Sequence, residues 1–154
     1  MTDLEFSHLD EQGRARMVDV GHKPVVQRIA EAEGFVLLKP ETVESIRGGT
    51  IPKGDVFSVA RVAAILGAKR TQDLIPMCHS LPLDVVEVQF ETLSDRVRII
   101  STVKCTARTG VEMEALSAVS IAALTIYDMC KAVDKEMVIE GIRLVKKEKI
   151  PLDK

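Results

Sequence analysis

The feature that most constrains this chain is an uncharged, apolar stretch running from Ala115 to Tyr127. It lies inside a longer helical pattern, Val111 to about Val133, and its middle is apolar nearly all round. A helix of this kind has no face to offer to water, so it must be buried on most sides. The stretch is shorter than the ~18 residues a membrane-spanning helix requires. Its cover therefore has to be protein, either this chain's own sheet and helices or, in part, a second subunit.

The chain carries strands to build that cover. Val85 to Leu93 and Val97 to Cys105 alternate and are rich in Val and Ile, with the polar Ser94-Asp95-Arg96 between them, the pattern of a β-hairpin. Phe35 to Leu38 reads as strand, while Ile29 to Glu33 fits either helix or strand. Met137 to Val145 reads as a last strand, followed by a basic tail, Lys146-Lys147-Glu148-Lys149. Pro40 and Glu41 to Ile46 predict a short helix closed by Gly48-Gly49. Asp55 is placed to cap a helix through Val59, Val62, Ala63, Ile65 and Leu66, with Gly67 and Lys69-Arg70 marking its end. The order strand–helix–helix–hairpin–helix–strand approximates the split β-α-β plan: an α+β, ferredoxin-like antiparallel sheet packed with helices. With 154 residues and no repeat or linker, the expectation is one domain over 1–154, residues 1–16 forming a flexible polar arm.

Composition narrows the function by exclusion. Lys and Arg number 21 against 23 Asp and Glu, a net charge of -2, so no global field holds nucleic acid or an anionic membrane. Aromatics are 3% with no Trp, which argues against stacking platforms for bases. Cys78, Cys105 and Cys130 are far apart and odd in number, so no disulfide framework is expected and a reducing compartment fits. Charged residues from Asp3 to Arg16 interrupt the apolar core a signal peptide would need. A soluble, cytoplasmic protein follows as an expectation.

Chemistry-bearing residues fall in three places. In Lys53-Gly54-Asp55-Val56-Phe57, a lysine precedes a helix N-terminus, a setting that suits a phosphate as well as it suits a solvated loop lysine. No Walker or dinucleotide glycine pattern accompanies it. His79 stands beside Cys78 between Pro76 and Pro82, a rigid setting for a titratable ring; a structural histidine and a phosphate or proton-transfer role are both open. The helix places Glu112 and Glu114 in its first turn, where carboxylates also serve as simple caps. At its other end Asp128, Lys131 and Lys135 share a face, and a shielded Asp–Lys pair there is a known way to tune an acid and a base. Glu114 and Asp128 are ~20 Å apart along the axis. If both ends act, two subunits each contribute one. No metal-ligand spacing is visible.

Five segments together make the pattern specific: Met17-Val18-Asp19-Val20; Lys53-Gly54-Asp55-Val56-Phe57; Ala68-Lys69-Arg70-Thr71 running into Asp73-Leu74-Ile75-Pro76-Met77-Cys78-His79; Thr109 to Leu116; and Leu124 to Val133. In one order and register they resemble the MoaC family, the cyclic pyranopterin monophosphate synthases of molybdenum-cofactor (molybdopterin) biosynthesis. The resemblance runs from about Met17 to Leu144 and departs at Ser80, where a proline is expected after the histidine. It implies a lyase with a ferredoxin-like subunit in a homohexamer, a trimer of dimers with sites at dimer interfaces. It also implies a small-molecule substrate, 3′,8-cyclo-7,8-dihydro-GTP, rearranged to cyclic pyranopterin monophosphate with loss of pyrophosphate. By the same resemblance Asp128, Lys131 and Lys53 are catalytic. Met77, Cys78, His79, Met113 and Glu114 contact substrate, as do Glu112 and Lys69 with weaker support. No cofactor is called for, although pyrophosphate release leaves room for Mg²⁺. The tail lysines Lys146, Lys147 and Lys149 are open as substrate contacts. Two other classes compete: a ferredoxin-like module that binds a small anion without turnover, and a purely structural oligomerisation domain.

Overall fold

The computed structural model describes residues 7–153, and its sheet begins with the expected hairpin: β2 (Leu83–Thr92) and β3 (Arg96–Ala107) pair antiparallel across Ser94 and Asp95. β3 alternates strictly, with Val97, Ile99, Ser101, Val103, Cys105 and Ala107 buried and the residues between them partly exposed. That period of two is what a sheet covered on one face demands. β1 (Val26–Leu37) pairs antiparallel with β3 on one side and with β4 (Val138–Ile150) on the other, in the order β2-β3-β1-β4. Between β1 and β2 lie α1 (Pro40–Arg47), α2 (Val56–Lys69) and the one-turn α3 (Thr71–Leu74); α4 (Glu112–Cys130) joins β3 to β4. This is the split β-α-β plan of an α+β, ferredoxin-like fold, with two added short helices in the first crossover.

The long apolar helix is α4, and it packs on β1, β3 and α2. It has the length and hydropathy of a membrane span, yet Ala115, Ala118, Val119, Ala122, Ala123 and Ile126 are fully buried in the fold. The small residues let the backbones approach, and each fully buried Val or Ile contributes about 1.5–3 kcal/mol. Ser101 Oγ donates to the Ala115 carbonyl at 2.7 Å, tying the first turn of α4 to β3. Leu124 and Tyr127 stay exposed on the far side of α4, as do Val59, Val62 and Leu66 on α2.

Several boundaries differ from the sequence reading. Ile29 to Glu33 is strand, because Ala30 and Ala32 alternate into the core beneath the helices. Gly67 lies inside α2 rather than ending it: a Cβ there would stand 2.8 Å from Ile121 Cγ1, so the glycine serves the α2–α4 contact. Helix α4 stops at Cys130, not near Val133, which leaves Lys135 off the helix and breaks the Asp128–Lys131–Lys135 face. The turn that ends it is held by buried Asp134, whose carboxylate accepts from the Lys39 and Glu136 N–H groups and the Thr42 hydroxyl, tying it to the start of α1 across 92 and more residues of sequence. The basic tail is not a tail; Lys146 to Lys149 continue β4 against β1. Of the expected flexible arm, residues 1–6 lie outside the described residues, and residues 8–16 form a closed loop with a Leu9–Ala15 bridge.

Candidate active site

At the C-terminal end of α4, three of the expected residues meet. Asp128 Oδ1 is 2.8 Å from Lys131 Nζ, and Asp128 Oδ2 is 3.1 Å from Lys53 Nζ. The Lys53 ammonium also donates to the Asp128 backbone carbonyl at 2.9 Å, one of the carbonyls a helix end leaves free. Lys53 reaches this point from the turn before α2. Ile51 and Val56 are buried on either side of it, and Gly54, at φ +110°, takes a conformation open mainly to glycine. Asp55 then caps α2, accepting from the Ser58 N–H at 3.1 Å.

Two cations at the negative end of a helix are favourable there, and both act on one carboxylate. The Lys131 and then the Lys53 ammonium hold the Asp128 carboxyl below the usual carboxylate range. In return the carboxylate pushes the Lys131 ammonium up. The cluster is exposed, with 57% of the Asp128 side chain open to solvent, so the shielding expected from the buried helix middle is absent. It ends as an open, positively charged platform.

At the N-terminal end of α4 a cavity of about 440 Å³ brings together Met77, Cys78, His79, Glu112, Met113 and Glu114. Proline-bounded and preceded by α3, the loop turns back through a Cys78 N–H to Ile75 carbonyl bond, and His79 Nε2 donates to the Val18 carbonyl at 2.6 Å. The two carboxylates beside each other differ in state. Burial pushes the Glu114 carboxyl up, and no hydrogen bond from another residue reaches its side chain among the described residues. Burial is the largest single influence on Glu112 and pushes its carboxyl up, but the Lys147 ammonium at 2.7 Å, the residue's own backbone N–H and the Arg28 charge together bring it below its ordinary value. Burial, with the nearby Glu114 charge, raises the Cys78 thiol.

A family model described as the MoaC family matches residues 17–149. The chain belongs to the MoaC family. It is similar to the cyclic pyranopterin monophosphate synthase of Chloroflexus aggregans, 59% identical over 145 residues, 93% of this chain and 88% of that protein. Similar too are the cyclic pyranopterin monophosphate synthase of Pelotomaculum thermopropionicum, 58% identical over 92% of this chain and 85% of the relative, and cyclic pyranopterin monophosphate synthase 1 of Mycobacterium bovis, 57% identical over 94% and 85%.

In this MoaC-family chain the residues expected to form the site fall in two groups, one at each end of α4, and Lys69 joins neither. It is exposed in the last turn of α2, lines neither group and makes no ion pair among the described residues. Lys23 and Arg28, absent from the sequence reading, enter instead, together with two of the tail lysines it left open. Lys23 lines the first cavity, and an adjoining cavity of about 430 Å³ adds Arg28, Lys147 and Lys149. Arg28 donates to the Arg108 carbonyl at 3.0 Å while its buried Nε has no partner. Only the pairing of β4 with β1 carries Lys147 to Glu112, so no local motif marks it. Both Asp128 oxygens are taken by lysines, one Glu112 oxygen by another, and no group of three or more His, Cys, Asp or Glu converges among the described residues.

Proposed function

We propose that this chain is a cyclic pyranopterin monophosphate synthase of molybdenum-cofactor biosynthesis, converting 3′,8-cyclo-7,8-dihydro-GTP to cyclic pyranopterin monophosphate and pyrophosphate. The observation that carries the reading is the Lys53–Asp128–Lys131 cluster, two ammonium groups on one carboxylate at an open helix end. A ribose-derived hydroxyl attacks the α-phosphorus; the bond to the β-phosphate oxygen breaks, pyrophosphate leaves with the electron pair, and the hydroxyl proton is lost. Charge grows on the phosphate oxygens in that step, and fixed lysines stabilise it without reorganising. Asp128 holds both lysines in place and is the nearest base. Mg²⁺ enters this reading as a counterion of the substrate's phosphates. The cavity at the other end of α4 suits the ring system, with Glu114 lining it and Lys23, Arg28 and Lys147 supplying positive charge.

The two groups are separated by most of α4, ~20 Å along the axis, so one chain does not bring both to one reacting centre. A complete site then takes the C-terminal end of α4 from one subunit and the N-terminal end from another, in a homo-oligomer of dimers, hexameric in this reading. The exposed Leu124, Tyr127, Val62 and Leu66 are apolar surface available for such contacts. The cytoplasm is the compartment this assigns, in keeping with three free cysteines.

Purified chain incubated with the cyclic dihydro-GTP substrate should release one pyrophosphate for each product oxidisable to a fluorescent pterin. Binding without pyrophosphate release would instead mark an anion-binding module. For the shared site, mixing the Asp128→Asn and Glu114→Gln variants through subunit exchange should restore part of the activity each lacks alone. No recovery in the exchanged mixture would refute sites built between subunits.

A further inference from the structure

The segment before β1, which composition marks as a polar arm, is instead folded against the N-terminal cavity of α4. Its shape comes from Asp10. One Asp10 carboxylate oxygen accepts from the Gln12 N–H at 2.9 Å and the Arg14 N–H at 2.8 Å, and the other accepts from Arg14 Nε at 2.8 Å. The Asp10 N–H donates to the Arg14 carbonyl, the Gly13 N–H to the Asp10 carbonyl, and the Arg16 N–H to the His8 carbonyl at 2.8 Å, so the loop closes on itself. Farther along, the Val18 carbonyl takes the His79 bond at 2.6 Å, pinning the segment to the loop that carries Met77 and Cys78. The result is that Ser7, His8, Val18 and Val20 form a wall of the same cavity that holds His79 and Glu114.

An arm with no role has no reason to spend a carboxylate and this many backbone bonds on one conformation, since ordering each residue costs about 1–2 kcal/mol. We infer that the 7–20 strap is part of the substrate site, with His8 a substrate-binding residue on the cavity's outer wall and Asp10 the residue that positions it. The inference rests on the synthase reading for its substrate and deepens that reading's account of the site. His8 and Lys23, which both line the cavity, supply hydrogen-bond donors to the anionic oxygens of a nucleotide-like ligand. These contacts are made to bound substrate before and through the reaction, so they bear on affinity rather than on the chemical step.

The test uses the full chain. Loss of one hydrogen bond to a charged group corresponds to about a tenfold change in binding. His8→Ala should therefore raise KM about tenfold with kcat nearly unchanged. Asp10→Ala should do the same through disorder of the loop. Asp10→Asn should raise KM less than Asp10→Ala, because the amide oxygen still accepts from the Gln12 and Arg14 N–H groups while the amide NH2 cannot accept from Arg14 Nε; a merely structural role would not separate KM from kcat in this way. A second readout does not need turnover. Arg14 and Arg16 are exposed trypsin sites within the strap, and GTP, as an unreactive triphosphate probe, should protect them in wild type and lose that protection in Asp10→Ala. Protection by GTP with no turnover of the cyclic substrate would overturn the synthase reading and leave the strap standing. Unchanged KM in both alanine variants, or cleavage indifferent to GTP, would overturn the strap.

Discussion

Replacing Asp128 with asparagine probes the proposed chemistry most directly, because the structure says what each lysine would do next. Lys53 keeps its 2.9 Å bond to the Asp128 carbonyl, which the substitution leaves intact, so this ammonium should stay near its place. Lys131 has only the carboxylate at 2.8 Å across one helical turn, and loses it. The cluster is solvent-exposed, so folding stability should hardly change and the thermal midpoint should match wild type. Activity should not survive so well. Removing a positioned acid–base group typically costs about 10²–10⁴ in rate, and that is the expected fall in kcat. Lys131→Ala and Lys53→Ala should each fall in the same range. Because all three act through one carboxylate, the triple variant should be no slower than about the worst single one. The pH profile gives an independent sign. The Asp128 carboxylate raises the Lys131 ammonium's pKa, so in Asp128→Asn any alkaline limb set by Lys131 should move to lower pH. The assay is initial-rate pyrophosphate release across pH, with the fluorescent pterin as a second product. Losses that multiply across the three variants would mean three independent residues, and unchanged single-variant rates would remove the cluster from the reaction altogether.

Other outcomes follow from burial and packing. Glu114 is raised by burial, so the stability it allows is present below pH ~4.5 and declines as pH rises through its folded value; Glu114→Gln should match wild type near pH 4 and gain about 1 kcal/mol, roughly 2–4 °C in Tm, at pH 7. Calorimetry showing equal Tm at both pH values would count against that assignment. Glu33 has the opposite sign: first Arg143, at 2.7 Å, and then Arg98, at 2.7 Å, lower its carboxyl, so its stabilisation is present above pH ~4.5 and is lost as pH falls through its folded value. Glu33→Gln should cost about 1–2 kcal/mol at pH 7, because the arginines it leaves can be solvated, and should flatten the acid limb of urea-unfolding curves; an acid limb as steep as wild type would refute this. Gly67→Ala should destabilise by about 1–2 kcal/mol, the overpacking against Ile121 exceeding the gain in helix propensity, and Ile121→Ala in the same chain should relieve part of that strain. A Gly67→Ala variant as stable as wild type would show that the α2–α4 contact yields more readily than its 2.8 Å approach implies.

Local patterns carried much of the architecture. The hairpin was legible because both strands alternate and a polar turn separates them, and α2 because Asp55 precedes a helical apolar face. The ends of elements were less legible. Gly67 looks like a stop signal when only its neighbours in sequence are considered, but its reason is Ile121, 54 residues on. The tail after Val145 looks soluble by charge, yet a strand at the sheet's edge accepts lysines readily, since one of its faces and its outer side meet water.

What the sequence determined by itself is everything set by period and by short-range chemistry: the buried helix, the hairpin, the cap at Asp55, and which residue types stand in the recognisable segments. What only the tertiary structure decided is which of those residues meet. Asp128 and Lys131 are one helical turn apart and pair from either viewpoint. Lys53 is 75 positions from Asp128 and reaches it only because α2 and α4 pack side by side. Lys147 finds Glu112 through the β1–β4 register, Asp134 ties the start of α1 to the turn after α4, and the supposed arm becomes a wall because His79 holds the Val18 carbonyl. Such contacts join segments distant in sequence, and each depends on the packing of the whole fold. No window of neighbouring residues contains them.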